Sequence, residues 1–226
     1  MNRTAYILYL IFCTSFFLRF PERVDFLASL RFDMLLMAAM VLAAILGRTP
    51  QSGNEKLSNT AKVITSLVVY VFLTLPLVEW PGSVLHTNSL IYLKVLMFFY
   101  FSAMTLTTEK RLMTFVGVLL MCQIFRVLEP VYLNATDGYW GSSTHLGGGE
   151  SMLRLAGSPY DTINPNGLAF VIVSVFPFMH YLSISGGIRI RLLSLVLAPI
   201  LFYALILTAS RTGFLAVIVI LIGIFL

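Results

Sequence analysis

Charge is scarce in this chain: Asp, Glu, Lys and Arg make up 11% of its 226 residues, against about 25% in an average soluble domain. Apolar residues reach 58%, above the usual share of about 45–50%, and the mean hydropathy is +0.91. A soluble globular domain is a poor fit, and a polytopic membrane protein is the expected class. Only two cysteines occur, Cys13 and Cys122, each inside an apolar run, so there is no CxxC, no disulfide framework and no metal spacing. His86, His145 and His180 lie far apart with no shared ligand spacing, which argues against a metal site. Neither GxxxxGK[ST] nor GxGxxG occurs, and no cofactor is expected. The net charge of +5 comes from basic residues scattered singly, without a basic face or block, so nucleic acid is not an expected partner. Glu79, Asp137 and Glu150 stand apart, and nothing places two carboxylates at a glycosidase-like separation.

What the chain does have is apolar length. Eight segments can be marked, at about 4–20, 32–47, 62–78, 89–107, 112–128, 166–184, 192–208 and 212–226. Most sit at the short end of the roughly 17–25 residues that span a bilayer. Lipid offers the backbone no hydrogen bonds, so spanning segments are forced into helices. The expected fold is all-α, a polytopic transmembrane helix bundle of about eight spans, forming one transmembrane domain over residues 1–226. The run from Ala5 to Leu18 lacks a small-x-small cleavage site, and bulky Phe12 precedes Cys13, so it reads as an uncleaved first helix rather than a signal or lipoprotein leader. The last run stops at Leu226 without a polar flank, and the chain is expected to be the N-terminal part of something longer.

Orientation follows from the basic residues. With the N-terminus inside, inner connections hold Arg48, Lys56, Lys62, Lys110, Arg111, Arg189 and Arg191, and outer ones Arg19, Arg23, Arg31, Arg126, Arg154 and Arg211. That inner excess is slight, but it is clear from residue 48 to 111, where the outer connection 79–88 holds none. Trp80 and Trp140 then lie on the outer side as anchors. The longest connection, about 129–163, is also outer, and its length points to function or local folding. Asn134-Ala-Thr136 fits a glycosylation acceptor, a tripeptide common by chance.

Two arginines stand out against that bias. Arg154 opens RLAGSPYDTINPNGLA, and Arg211 sits in TASRTG; two apolar segments separate them, which puts both on the outer face. Asn164 suits a helix cap and Pro165 the first helical position, while Ser210 suits a cap for a helix starting at Arg211. Both helices then present their positive ends outward, where anions are stabilised by about 0.3–1 kcal/mol each. An arginine at such an end makes sense with an anion between guanidinium and backbone amides, and phosphate matches the guanidinium fork. The competing reading is that Arg211 snorkels into the headgroup layer and Arg154 is a solvated loop residue. Lys94, about five residues into its span, either snorkels outward or lines a polar cavity. Asp161 either orients Arg154 as an ion pair or solvates the loop. Arg126 falls near the C-terminus of its segment, where the helix dipole favours a cation. His145, in the long connection, is either a base or a free loop histidine. His180 is expected to face other helices, and Pro177 and Pro199 to kink theirs.

The order of these motifs resembles the bacterial O-antigen ligase and O-antigen polymerase family. The matching residues are Arg154, Gly157, Asn164, Pro165, Asn166, Leu168 and Ala169, then Ser210, Arg211 and Gly213, about 60 residues in all. The resemblance implies an inner-membrane glycosyltransferase working on the periplasmic face, with the N-terminus cytoplasmic. Its donor would be an undecaprenyl-pyrophosphate-linked glycan, and its acceptor lipid A–core or another glycan, with no metal. Arg154 and Arg211 would act on the pyrophosphate as catalytic residues, offsetting charge on the leaving group. Asn164, Asn166, Lys94 and Asp161 would bind substrate. The family's further periplasmic loop, with a histidine proposed to activate the acceptor, would lie past Leu226. The alternative is an anion or bicarbonate-type transporter, for which arginines at helix ends and an intramembrane lysine would also serve.

Overall fold

The computed structural model describes residues 3–46, 59–79, 81–83 and 89–225; within these, the side chains of residues 60, 83, 89–94, 146, 147 and 225 are outside the description. Its elements in order are α1 (Arg3–Leu18), α2 (Phe20–Arg23), α3 (Asp25–Ser29), α4 (Phe32–Leu46), α5 (Asn59–Thr74), a 3-10 turn (Leu75–Leu77), α6 (Pro81–Ser83), α7 (Ser89–Thr105), α8 (Glu109–Asp137), β1 (Gly141–Gly147), β2 (Glu150–Leu155), α9 (Pro165–Ser185), α10 (Ile188–Thr208) and α11 (Arg211–Phe225). The protein is therefore mostly helical, and each of the eight apolar segments contains a helix. Among the described residues three helices, α8, α9 and α10, are long and apolar enough to cross a membrane; the other apolar helices are shorter. Long apolar side chains such as Phe170 on α9, Leu195 on α10 and Leu215 on α11 are exposed on the protein's surface. Such a surface is stable against acyl chains rather than water.

The chain packs as two compact units: residues 1–13 with 30–115, and 14–29 with 116–226. In the first, Tyr9 of α1 is fully buried, with ring centroids 5.9 Å from Phe98 of α7 and 5.7 Å from Phe115 of α8. Its hydroxyl is satisfied by that of Ser102, as a buried phenol requires. Arg111 lies over the Tyr6 ring, and the Tyr6 hydroxyl donates to the Arg111 carbonyl at 2.9 Å.

The second unit is built on α9, α10 and α11, with Leu168, Ile172, Leu201 and Leu205 fully buried between them. Proline is present inside both α9 (Pro177) and α10 (Pro199). Gly213 lets α11 approach its neighbours closely: a Cβ there would come within 2.8 Å of Ala169 Cβ and 3.0 Å of Leu205 Cδ1. Thus the small residues of the two motifs, Ala169 and Gly213, meet face to face.

Two expectations for the long connection need correction. Residues 129–163 are not a loop throughout, because α8 continues to Asp137 through Pro130. Its extension is tied at both ends: Glu129 pairs with Arg23, and the Asn134 side chain donates to the Tyr139 carbonyl at 2.7 Å. Asn134 is thus a helical residue rather than part of a loop. Beyond it, β1 and β2 form an antiparallel hairpin with Ser142 opposite Arg154 and His145 opposite Ser151, so the unit is not purely α. Hydrophobic periodicity misses both features: the α8 extension contains Pro130 and polar residues that break the apolar run, and the hairpin is too rich in Gly and Ser to alternate.

Replacing Gly213 with Ala should destabilise the protein by about 1–3 kcal/mol through overpacking. Ala169→Gly in the same chain should restore part of the loss, read as a non-additive double-mutant cycle by thermal denaturation in detergent.

Candidate functional site

The turn from Ala156 to Asn164 has neither helix nor strand, as a loop should, but it is closely tied. Its backbone is hydrogen-bonded on itself: Gly157 N–H to the Ile163 carbonyl (2.9 Å), Asp161 N–H to the Ser158 carbonyl (2.8 Å), and Ile163 N–H to the Asp161 carbonyl (2.6 Å). Gly157 is required there, since any side chain would drive into the Asp161 carbonyl oxygen. The Tyr139 hydroxyl donates to the Gly157 carbonyl at 2.7 Å. Burial, and then the Glu129 carboxylate, hold the Tyr139 hydroxyl above its ordinary pKa, so it stays a donor.

One ion pair locks this turn to α8, and a second joins α2 to α8 beside it. Asp161, 2% exposed, accepts from Arg126 in a bidentate arrangement, Nε to Oδ2 at 2.6 Å and Nη2 to Oδ1 at 3.1 Å. The remaining Nη1 of Arg126 donates to Gln123 Oε1 at 2.9 Å. Asp161 therefore belongs to Arg126 and not to Arg154, which corrects the first of its two expected roles. It is also not a solvated loop residue. Arg126 stands eleven residues before the end of α8, so the helix C-terminus does not account for its charge; Asp161 does. Arg23 of α2 makes a second fork–fork pair with Glu129, and its guanidinium lies 5.5 Å from the Phe125 ring centroid and 5.2 Å from that of Tyr160. The Ser158 hydroxyl is buried near this second pair and makes no hydrogen bond of good geometry with the described residues.

The turn delivers the chain into α9 with the expected cap. Asn164 is extended (φ −70°, ψ 166°), and its Oδ1 accepts from Gly167 N–H at 2.7 Å, with Pro165 in the first helical position. Ser210 caps α11 in the same way, its Oγ accepting from Gly213 N–H at 3.2 Å. Between α10 and α11 the chain reverses through Ala209, which takes the left-handed conformation (φ 47°).

Arg154 sits where these ends meet. Its neighbour Leu155 is fully buried in the core and anchors β2, which packs against α9 and α10. The Arg154 guanidinium donates from Nε to the Thr208 carbonyl and from Nη2 to Asn166 Oδ1, both at 2.9 Å. One residue thus bridges the start of α9 and the end of α10. The Thr208 carbonyl lies in the last turn of α10, the negative end of that helix, and offsets a cation placed beside two helix N-termini. That acceptor was not legible in the sequence. It partly explains Arg154 without any ligand, yet Nη1 keeps both its donors unengaged by described residues. Arg211, three residues beyond Thr208 and first in α11, is exposed, and its guanidinium makes no hydrogen bond or ion pair with the described residues.

Of the expected site residues, Arg154, Asn164, Asn166 and Arg211 share one end of this unit. Asn164 is occupied as a cap and Asn166 as the partner of Arg154. Lys94 lies in α7, and its side chain is outside the described residues, as is all of Trp80. His145 is exposed on β1. No group of three His, Cys, Asp or Glu residues among those described is placed to hold a metal ion. Gln123 and Tyr139 carry no signal in the sequence, and neither does the pairing of Arg126 with Asp161, because these roles depend on what each residue faces across the fold.

Removing one partner of the buried pair, as in Asp161→Ala, should cost about 3–5 kcal/mol, because it strands a charge. The double replacement Arg126→Met with Asp161→Leu should be clearly milder than either single change, as measured by thermal unfolding in detergent.

Compared with known proteins, the chain matches no family model, no curated protein and no solved structure.

Proposed function

We propose that this protein is a polytopic glycosyltransferase of the bacterial inner membrane, of the O-antigen ligase or polymerase type, with its N-terminus cytoplasmic and about eight spans. In this reading the end of the second unit that carries Arg154 faces the periplasm. The observation that carries it is the convergence of Arg154, the capped start of α9 and the capped start of α11 with Arg211, at one end of one helix cluster.

The donor is a glycan on undecaprenyl pyrophosphate. An acceptor hydroxyl, on lipid A–core or on another glycan, attacks the anomeric carbon and gives up its proton to solvent; the bond from that carbon to the pyrophosphate oxygen breaks, and the bonding pair leaves with the pyrophosphate. Negative charge grows on that oxygen. Free Nη1 donors of Arg154 and the unengaged fork of Arg211 are suited to meet it, and helix N–H groups add to the same potential. Asn166 holds Arg154 in place rather than meeting the donor. Such stabilisation needs no metal, and the polyprenyl tail lies in the bilayer against the exposed apolar helices.

The test is complementation of a strain that lacks the gene, with surface polysaccharide as the readout. Arg154→Ala and Arg211→Ala should each lower polymer formation by about 100-fold or more, the loss typical of removing one donor to a developing oxyanion. Arg154→Lys should not rescue, because an ammonium cannot reach Asn166 and Thr208 as a planar fork and keep donors free. Full restoration of polymer by both alanine variants would sink the pyrophosphate role. Intact polymer in the deletion strain, together with anion uptake by proteoliposomes of the purified protein, would favour the carrier instead.

A further inference from the structure

At the opposite end of the α9–α11 cluster lies a second feature, which the proposed reaction does not use. The last turns of α9, the first turns of α10 and the end of α11 enclose an open groove of about 580 Å³. Its walls are apolar, with Phe176 and Met179 from α9, Leu195 from α10 and Leu221 from α11. Its polar lining is His180, Ser183, Arg191 and Ser194.

Arg191 is held rather than loose. Its Nε donates to the Ser183 carbonyl at 2.9 Å and its Nη2 to the Ile184 carbonyl at 3.3 Å, which folds it over the last turn of α9. No described residue accepts from its Nη1, so that edge of the guanidinium stays available at the groove. Arg189 lies in the same first turn of α10 and is exposed. The α10 N-terminus has Gly187 at its cap with no side-chain hydrogen bond, so its amides add positive potential. Between residues 162 and 226 the sequence has no Asp or Glu at all. No carboxylate of this cluster is therefore available to meet an ammonium headgroup.

We propose that this groove binds an anionic phospholipid, with the lipid phosphate at Arg191 and one acyl chain along the apolar wall. A free phosphate would leave the wall uncovered, and a simple hydrocarbon would leave the arginine edge unused. A phospholipid satisfies both. An acidic one fits better than a zwitterionic one because Arg189 and Arg191 stand in the first turn of α10 and residues 162–226 supply no carboxylate side chain. The site is independent of the chemistry assigned to Arg154.

Native mass spectrometry of the full chain released from nanodiscs of mixed phosphatidylglycerol and phosphatidylcholine tests this. Wild type should carry phosphatidylglycerol over phosphatidylcholine by roughly fivefold, the preference expected when one basic side chain meets a net anionic headgroup rather than one whose phosphate is neutralised by choline. Arg191→Gln should abolish that preference, and Ser194→Phe, which narrows the groove, should reduce bound lipid of both kinds. Lys110→Ala, which removes an exposed charge elsewhere, should change neither. Thermal melts of each variant establish that it is folded. Equal binding of the two lipids by wild type, or a phosphatidylglycerol preference that survives Arg191→Gln, overturns the assignment.

Discussion

A guanidinium and a carboxylate withdrawn from water, Arg126 and Asp161, set the geometry on which the candidate site depends. Neither charge is tolerable alone in that setting, and together they leave few arrangements of the turn between β2 and α9. Gly157 lets the turn close on Asp161, and Tyr139 ties it to the end of α8. The chain then enters α9 through Asn164 at a fixed angle. From there Asn166 and the last carbonyls of α10 receive Arg154. A change at residue 126, far along the helix from the site, is thus mechanically close to it.

The second unit has two chemically different ends. At one, capped helix starts gather around two arginines, one bridged to the protein and one exposed. At the other, an uncapped helix start and a pinned arginine border an apolar groove. The same three helices serve both because antiparallel neighbours alternate their dipoles. A cation near one helix's start can borrow carbonyls from the end of its neighbour. Arg154 does so with Thr208, and Arg191 with Ser183 and Ile184. In each case the borrowed acceptors engage only part of the guanidinium and leave an edge for something else.

Helix caps were legible because they are local. Asn164-Pro165 and Ser210-Arg211 announce a helix start in a few residues, and the structure places both caps as the residues indicate. Apolar segments were legible too, since nearly every residue in them agrees. The α8 extension and the hairpin were not: Glu129 to Asp137 mixes polar and apolar residues around Pro130, and it is tied by an ion pair with Arg23 and a side-chain contact to Tyr139. Arg126 was misread for a similar reason. Its helix end was placed too early, and its partner stands 35 residues away.

By itself the sequence determined that this protein is helical and apolar, where its helices begin, and that Arg154 and Arg211 are out of keeping with their surroundings. Those properties depend on residue type and near-neighbour spacing, which a linear reading preserves. Tertiary structure decided which charges neutralise one another and which remain available. It assigned Asp161 to Arg126, gave Arg154 the Thr208 carbonyl, and set Gly213 against Ala169. The physical reason is that a hydrogen bond or an ion pair depends on distances of about 3 Å in space, whatever the separation along the chain.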